Sequence, residues 1–386
     1  MQIDDLPTPS LVLDKRRVEA NTQTMRTRLQ GHGVTLRTHA KTAKSADVAR
    51  MAHGGNTGNG PGNGPGNGMG PLTISTLAEA AYFLDHGFTD LTYAVCITPG
   101  KLDTVAALMD RGADLKIITD SVDLADAVVT PASGKPFKLL IEIDCGEHRT
   151  GVTPGGPELL EIANRAANAG AHIEGVLTHA GHSYLCRNAE DAANVAEQER
   201  QAAVIAAERL RNAGFECPTV SVGSTPTATH GRDFTGITEA RPGVYVFQDM
   251  FQAAIGSCSV DDIALSVLAS VTSCHPERGT LMIDAGGLAL SKDRSTNGLA
   301  GGDDIGFGAL ASIDGDLLEG LVVASVHQEH GEVRCDDAKI LEALTVGTKV
   351  RILPNHACMT AAAYDTYHVV EGGRQIVATW TRCNGW

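Results

Sequence analysis

The feature that most constrains this chain is an alternation repeated through its first 243 residues. Eight short runs rich in apolar and β-branched residues are separated by longer segments with helical spacing. The runs are TLRTHAK (35–41), LTIST (72–76), LTYAV (91–95), LKIIT (115–119), LLIEID (139–144), GVLTHA (175–180), TVSVGS (219–224) and GITEARPG (236–243). Between them lie segments such as STLAEAAYFLDHG, KLDTVAALMDRG and PELLEIANRAANAG, whose apolar residues recur at helical intervals and which end on glycine. Nearly continuous apolar strands alternating with helices form a parallel sheet covered on both faces. Eight such units predict an α/β fold, a (β/α)8 barrel; a doubly wound sheet usually carries fewer strands.

After about residue 255 the rhythm changes to strands joined by turns, as in ALSVLASVTSCH, GTLMIDAGG, KVRILPNHACMT and QIVATWTR. The expectation is a barrel over 15–255, followed by a mostly antiparallel β domain over 256–386. The N-terminal strand SLVLD (10–14), within 1–14, crosses over to that second domain. The repeat NTGNGPGNGPGNGMGP (56–71) cannot form helix or strand and is expected to be an exposed insertion.

Composition narrows the function. The 386 residues carry a formal net charge of −15, which argues against nucleic acid and anionic membrane as partners. No apolar stretch approaches membrane-spanning length, and the acidic start MQIDDLPTPS does not resemble a signal peptide. Nine cysteines without framework spacing suit a reducing, cytoplasmic setting.

In a barrel, chemistry collects at the carboxyl ends of the strands. There the sequence places Lys41, then Asp144, His148 and Arg149, then His179, His182 and Tyr184. Gly223, Ser224 and Thr225 follow the seventh run, where barrels commonly bind phosphate, and Arg241, Gly243, Val244 and Tyr245 follow the eighth. A lysine on the first strand together with a phosphate loop after the seventh is what pyridoxal phosphate requires. Far downstream, LPNHACMT sets His356 and Cys358 two positions apart. On an extended segment both would face the same side, and both suit zinc.

The blocks LRTHAKTAKS, EIDCGEHRTGV, VLTHAGHSY, VSVGSTPT, RPGVYVF, QEHG and LPNHAC together resemble the fold-type III, alanine racemase-like pyridoxal-phosphate enzymes. Within these they are similar to the branch of D-threo-3-hydroxyaspartate dehydratase, eukaryotic-type D-serine dehydratase and D-threonine aldolase. The resemblance implies a homodimer acting on a small D-amino acid, with Lys41 carrying pyridoxal 5'-phosphate covalently. It implies Arg149 near the cofactor's phenolic oxygen and His179 beside the ring. It further implies Ser224, Thr225, Gly243 and Val244 around the phosphate, with Arg241 facing the pyridine nitrogen. His356 and Cys358 then correspond to ligands for Zn2+ or another divalent metal. Aldolase relatives tend to have aspartate at the position of Cys358, which favours a dehydratase releasing a 2-oxo acid and ammonia. A D-threonine-type aldolase is the alternative, ahead of a cofactor-carrying protein or an amino-acid racemase. Gln328 of QEHG stands where many relatives have aspartate, and His330 is a further candidate for the active site.

Overall fold

A computed structural model describes residues 1–55, 69–297, 304–335 and 337–386. Residues 56–68 of the glycine-rich repeat lie outside the described residues. The chain divides into two compact units, one of Thr22–Tyr245 with Cys383–Trp386 and the other of Met1–Asn21 with Val246–Arg382.

The first unit is the parallel barrel. Its strands run Thr35–Leu36 and Thr38–His39, Leu72–Ile74, Asp90–Cys96, Asp114–Thr119, Lys138–Ile143, His172–Thr178, Thr219–Val222 and Glu239–Ala240. Each pairs in parallel with the next, and all eight fall where the apolar runs predict them. The first strand is interrupted at Arg37. Its front half pairs with Glu239–Ala240 and its back half with Leu72–Ile74, so this one strand joins the two ends of the sheet.

A buried charge network lies at the interruption. The Arg37 guanidinium is buried and bonds Glu239 at 2.7 Å and Asp90 at 2.8 Å. Lys116 adds a second contact to Asp90 at 2.9 Å. These charges stand beside fully buried Leu72, Ile74, Ile117, Leu139 and Ile141 of the barrel strands, and buried charges are tolerated only when paired in this way. Several of the helices start at side-chain caps. Thr76 accepts the Glu79 amide at 3.0 Å, and Asn188 accepts that of Asp191 at 2.8 Å. Gly112 and Gly170, both at positive φ, follow helix ends.

The second unit is mostly antiparallel. Strands Thr280–Ile283, Gly331–Arg334, Leu317–Val326, Gly308–Ala311, Lys349–Pro354 and Leu265–His275 pair in that order, and the last pairs back onto the first, closing a six-stranded barrel. Ser10–Asp14 joins this unit as expected, antiparallel to Leu265–His275 and parallel to Thr366–Val370. Short helices over Gly287–Leu290, Ala338–Ala343 and Ala357–Ala361 exceed the strand-and-turn pattern. At four to six residues they are too brief to leave a helical period in the sequence. Among the described residues, no helix is long and apolar enough to cross a membrane.

Candidate active site

In the first unit, Lys41 follows Thr38–His39 directly at the carboxyl edge of the barrel. Lys44, the other lysine of the motif, is otherwise engaged. Its ammonium lies 3.1 Å from the fully buried Glu79 carboxylate, which also accepts the Ser75 hydroxyl at 2.6 Å. The structure therefore separates a strand-end lysine from a structural one.

His179 follows the strand His172–Thr178, and its Nδ1 lies 2.9 Å from the Gly223 carbonyl. A carbonyl only accepts, so Nδ1 carries the proton and Nε2 keeps its lone pair. Burial, then the charge of Lys41, pushes the imidazole pKa down to about 3, so the ring is neutral. His39 is held well below its ordinary value by burial and by the same lysine.

Gly223 has φ +130°, and a Cβ there would meet the Arg241 amide nitrogen at 2.6 Å, so only glycine fits. Ser224 caps the helix Thr225–His230 by accepting the Thr227 amide at 3.2 Å. The Thr225 hydroxyl accepts the Tyr245 amide at 3.2 Å. Gly243 packs so closely that a Cβ would lie 3.1 Å from His39. Val244 opens the short turn Val244–Val246 beside it. Small residues, hydroxyls and a helix start are thus gathered at two adjoining strand ends, a donor set suited to a phosphate.

Arg241 is buried and donates to the Ser221 hydroxyl at 2.6 Å and the Thr178 carbonyl at 2.5 Å. Ser221 in turn donates to Glu239 at 2.6 Å, so Arg241 is oriented by the same network that holds Arg37. Arg149 stands on an exposed loop, 3.4 Å from Glu147. Tyr184 is partly buried in the turn Gly181–Leu185. Asp144 accepts the Gly146 amide at 2.8 Å and bonds His148 at 2.6 Å, which shapes the loop.

One residue of this site escapes sequence reasoning. Glu199, on the helix Ala189–Asn212, is almost fully buried, and a single oxygen accepts the Ala180 and Gly223 amides, both at 2.9 Å. It ties the loop after His179 to the phosphate-type loop. Burial raises its carboxyl pKa.

A second cluster at the strand ends joins Cys96, Asp120 and Glu142. The thiol lies 3.0 Å from Glu142 and 3.4 Å from Asp120. Thr150 and the Gly151 amide supply further donors to these carboxylates at 2.9 and 2.8 Å. Burial and the two acids push the Cys96 pKa up, so the thiol acts here as a proton donor.

In the second unit, His356 and Cys358 are not on an extended segment, contrary to the expectation from their spacing. The strand ends at Pro354, and His356 is the N-cap of the helix Ala357–Ala361. The helix starts here because Asp249, buried and 108 positions upstream, accepts the Ala357 amide at 2.9 Å. The two side chains still meet, since His356 hydrogen-bonds the Cys358 thiol. The His356 Nδ1 lies 2.6 Å from Asp293. Burial lowers the imidazole pKa, but the bonds to Asp293 and Cys358 outweigh it and hold it well above the ordinary value. An imidazole and a thiol in contact form a donor pair suited to a borderline-soft divalent ion. Gln328 and His330 lie in an exposed turn between Leu317–Val326 and Gly331–Arg334.

A barrel with this lysine, histidine and phosphate-type loop, joined to a closed antiparallel domain, has the architecture of alanine racemase-like enzymes. The family model described as alanine racemase, N-terminal domain, matches residues 13–250, and a serine dehydratase domain matches 264–370. The chain is 41% identical to D-threo-3-hydroxyaspartate dehydratase of Delftia sp. (strain HT23), over 99% of this chain and 98% of that one. It is 30% identical to D-serine dehydratase of Dictyostelium discoideum, over 100% and 98%. D-threonine aldolase of Arthrobacter sp is more distant, at 28% over 95% and 89%. The solved Delftia dehydratase covers 100% of both chains with a TM-score of 0.92 and 40% identity, and a mutant of that enzyme was solved in a metal-free form. The chain belongs to the alanine racemase-like, pyridoxal-phosphate-dependent family, in the branch that contains these dehydratases.

Proposed function

We propose that this protein is a lyase that dehydrates D-3-hydroxyamino acids, D-threo-3-hydroxyaspartate or D-serine, to a 2-oxo acid and ammonia, using pyridoxal phosphate and a divalent metal. The observation that carries the reading is the His356–Cys358 contact, a nitrogen and sulfur pair on a chain that also bears the strand-end lysine. Its nearer relatives are named dehydratases and its more distant ones aldolases.

Lys41 would hold the cofactor, Ser224, Thr225, Gly223, Gly243 and Val244 its phosphate, and His356 and Cys358 the metal. When bound, the cofactor supplies an electron sink for a carbanion, and the metal supplies Lewis acidity toward a hydroxyl leaving group. Lys41 offers its Nζ as the base for the α-proton once substrate has taken its place. His179 stays neutral and keeps Nε2 as an acceptor, because Gly223 holds its only proton at Nδ1. Arg241 presents a fixed positive group, its donors oriented by Ser221 and Thr178. Arg149, as the family resemblance assigns it, and Tyr184, a strand-end candidate, would complete the cofactor surround. We place the cofactor-bearing domain over 15–255 and the metal-bearing one over 256–386 with 1–14. Zinc as the metal, a homodimer and a cytoplasmic location belong to the same reading.

The test is product analysis with D-threo-3-hydroxyaspartate. Dehydration requires oxaloacetate and ammonia in equal amounts. Glycine and glyoxylate as the main products would establish the aldolase instead.

A further inference from the structure

The proposed metal pair is held in place by carboxylates that the dehydratase reading does not use. Asp293 Oδ2 lies 2.6 Å from His356 Nδ1, and its other oxygen accepts the Ser295 hydroxyl at 2.5 Å. The Asp293 amide donates to the Ser291 hydroxyl at 3.1 Å. Both carboxylate oxygens and the local backbone are therefore tied down, and Asp293 offers His356 a fixed acceptor. From the other side, Asp249 accepts the amide of Ala357, the residue between the two ligands. Its second oxygen caps the Gln252 amide at 2.8 Å.

Imidazole has two nitrogens, and the one that gives its proton to a carboxylate leaves the other as a lone-pair donor. With Nδ1 occupied by Asp293, only Nε2 can ligate. Rotating the ring to present Nδ1 would break the 2.6 Å bond. Asp249 meanwhile fixes the peptide linking His356 to Cys358.

We infer that Asp293 is the positioning residue of the metal site: it selects the Nε2-ligating form of His356 and raises the basicity of that nitrogen, while Asp249 sets the backbone. The inference rests on His356 and Cys358 being metal ligands. Outer partners of ligating histidines typically contribute about 10–100-fold in metal affinity.

The experiment is a competition titration of chelator-stripped protein, cofactor retained, with Zn2+ against a chromophoric chelator. Co2+ substitution gives a second readout through its sulfur-to-metal charge-transfer band. Asp293→Ala should weaken Zn2+ binding by about 10–100-fold while cofactor absorbance and melting temperature stay close to the wild type. The charge-transfer band should survive, since Cys358 still ligates. Asp293→Asn keeps an acceptor of the same shape and should lose less, and it carries the test if the alanine variant does not accumulate. Binding that is unchanged in both Asp293 variants but lost in His356→Ala overturns the inference and leaves the metal reading intact. Binding unchanged in His356→Ala overturns the metal reading, and the inference with it.

Discussion

Replacing Glu199 by alanine removes the acceptor that two buried amides share. The Ala180 and Gly223 N–H groups both reach the same carboxylate oxygen at 2.9 Å, and both residues are buried. Orphaning a buried amide costs about 1–3 kcal/mol, so the pair is worth roughly 2–6 kcal/mol. Part of this is returned because the variant no longer buries a carboxylate, a cost visible in its raised pKa. A net loss of about 2–4 kcal/mol follows, or a melting temperature lower by about 4–16 °C for a unit of this size. Cofactor affinity should fall as well, since Gly223 also holds His179. Glu199→Gln separates the causes, because its amide oxygen can accept both N–H groups without carrying charge. It should match the wild type at a pH below the ordinary glutamate range, where the carboxyl is protonated in the folded and unfolded chain alike. A carboxyl whose folded pKa is raised contributes stability at low pH that is lost as pH rises through the folded value, so the glutamine variant should gain on the wild type as pH climbs from the ordinary glutamate range through that raised value. Thermal melts of the cofactor-free protein and absorbance titrations with pyridoxal phosphate measure these effects. A glutamine variant as damaged as the alanine one, or an alanine variant as stable as the wild type, would refute the account.

The remaining expected outcomes concern the two lysines, the buried arginine and the metal pair. Lys41→Ala should abolish the lysine-linked visible absorbance and turnover. Lys44→Ala should keep the absorbance and lose about 2 kcal/mol, less than the roughly 3–5 kcal/mol typical of a broken buried pair, because Glu79 retains its Ser75 contacts. Spectra and melts of the two variants decide this. Arg37→Met leaves Glu239 buried without its cation and should cost about 3–5 kcal/mol in denaturant unfolding, partly recovered in the double variant with Glu239→Gln. Chelation or His356→Ala should remove most activity toward β-hydroxy substrates while the visible spectrum persists. Cys358→Asp, a harder ligand, should favour manganese over zinc in activity reconstitution.

The barrel was legible in the sequence because its determinants are local. The strands are largely buried apolar runs and the helices between them carry their own periodicity, so eight runs in order imply eight parallel neighbours. The lysine, the glycine-serine-threonine loop and the His-x-Cys pair could be picked out as candidates for the same reason, as short local motifs. The crossover of Ser10–Asp14 could be anticipated because it precedes the alternation.

Other features depend on partners far apart in the chain, and no local pattern announces them. Glu199 sits in AEQERQAA, where a glutamate looks like one more charge on a solvated helix face. Only packing of that helix against the barrel turns it inward onto Ala180 and Gly223. The engagement of Lys44 depends on Glu79, which the fold brings to its ammonium. His356 and Cys358 became a helix start rather than a strand end because Asp249 reaches the Ala357 amide across 108 positions, and Asp293 reaches the ring across 63. Periodicity and motif are carried by neighbouring residues, so the chain itself determined which groups could do chemistry. Hydrogen bonds to buried carboxylates are satisfied only once each unit has folded, so the tertiary structure alone decided how those groups are held.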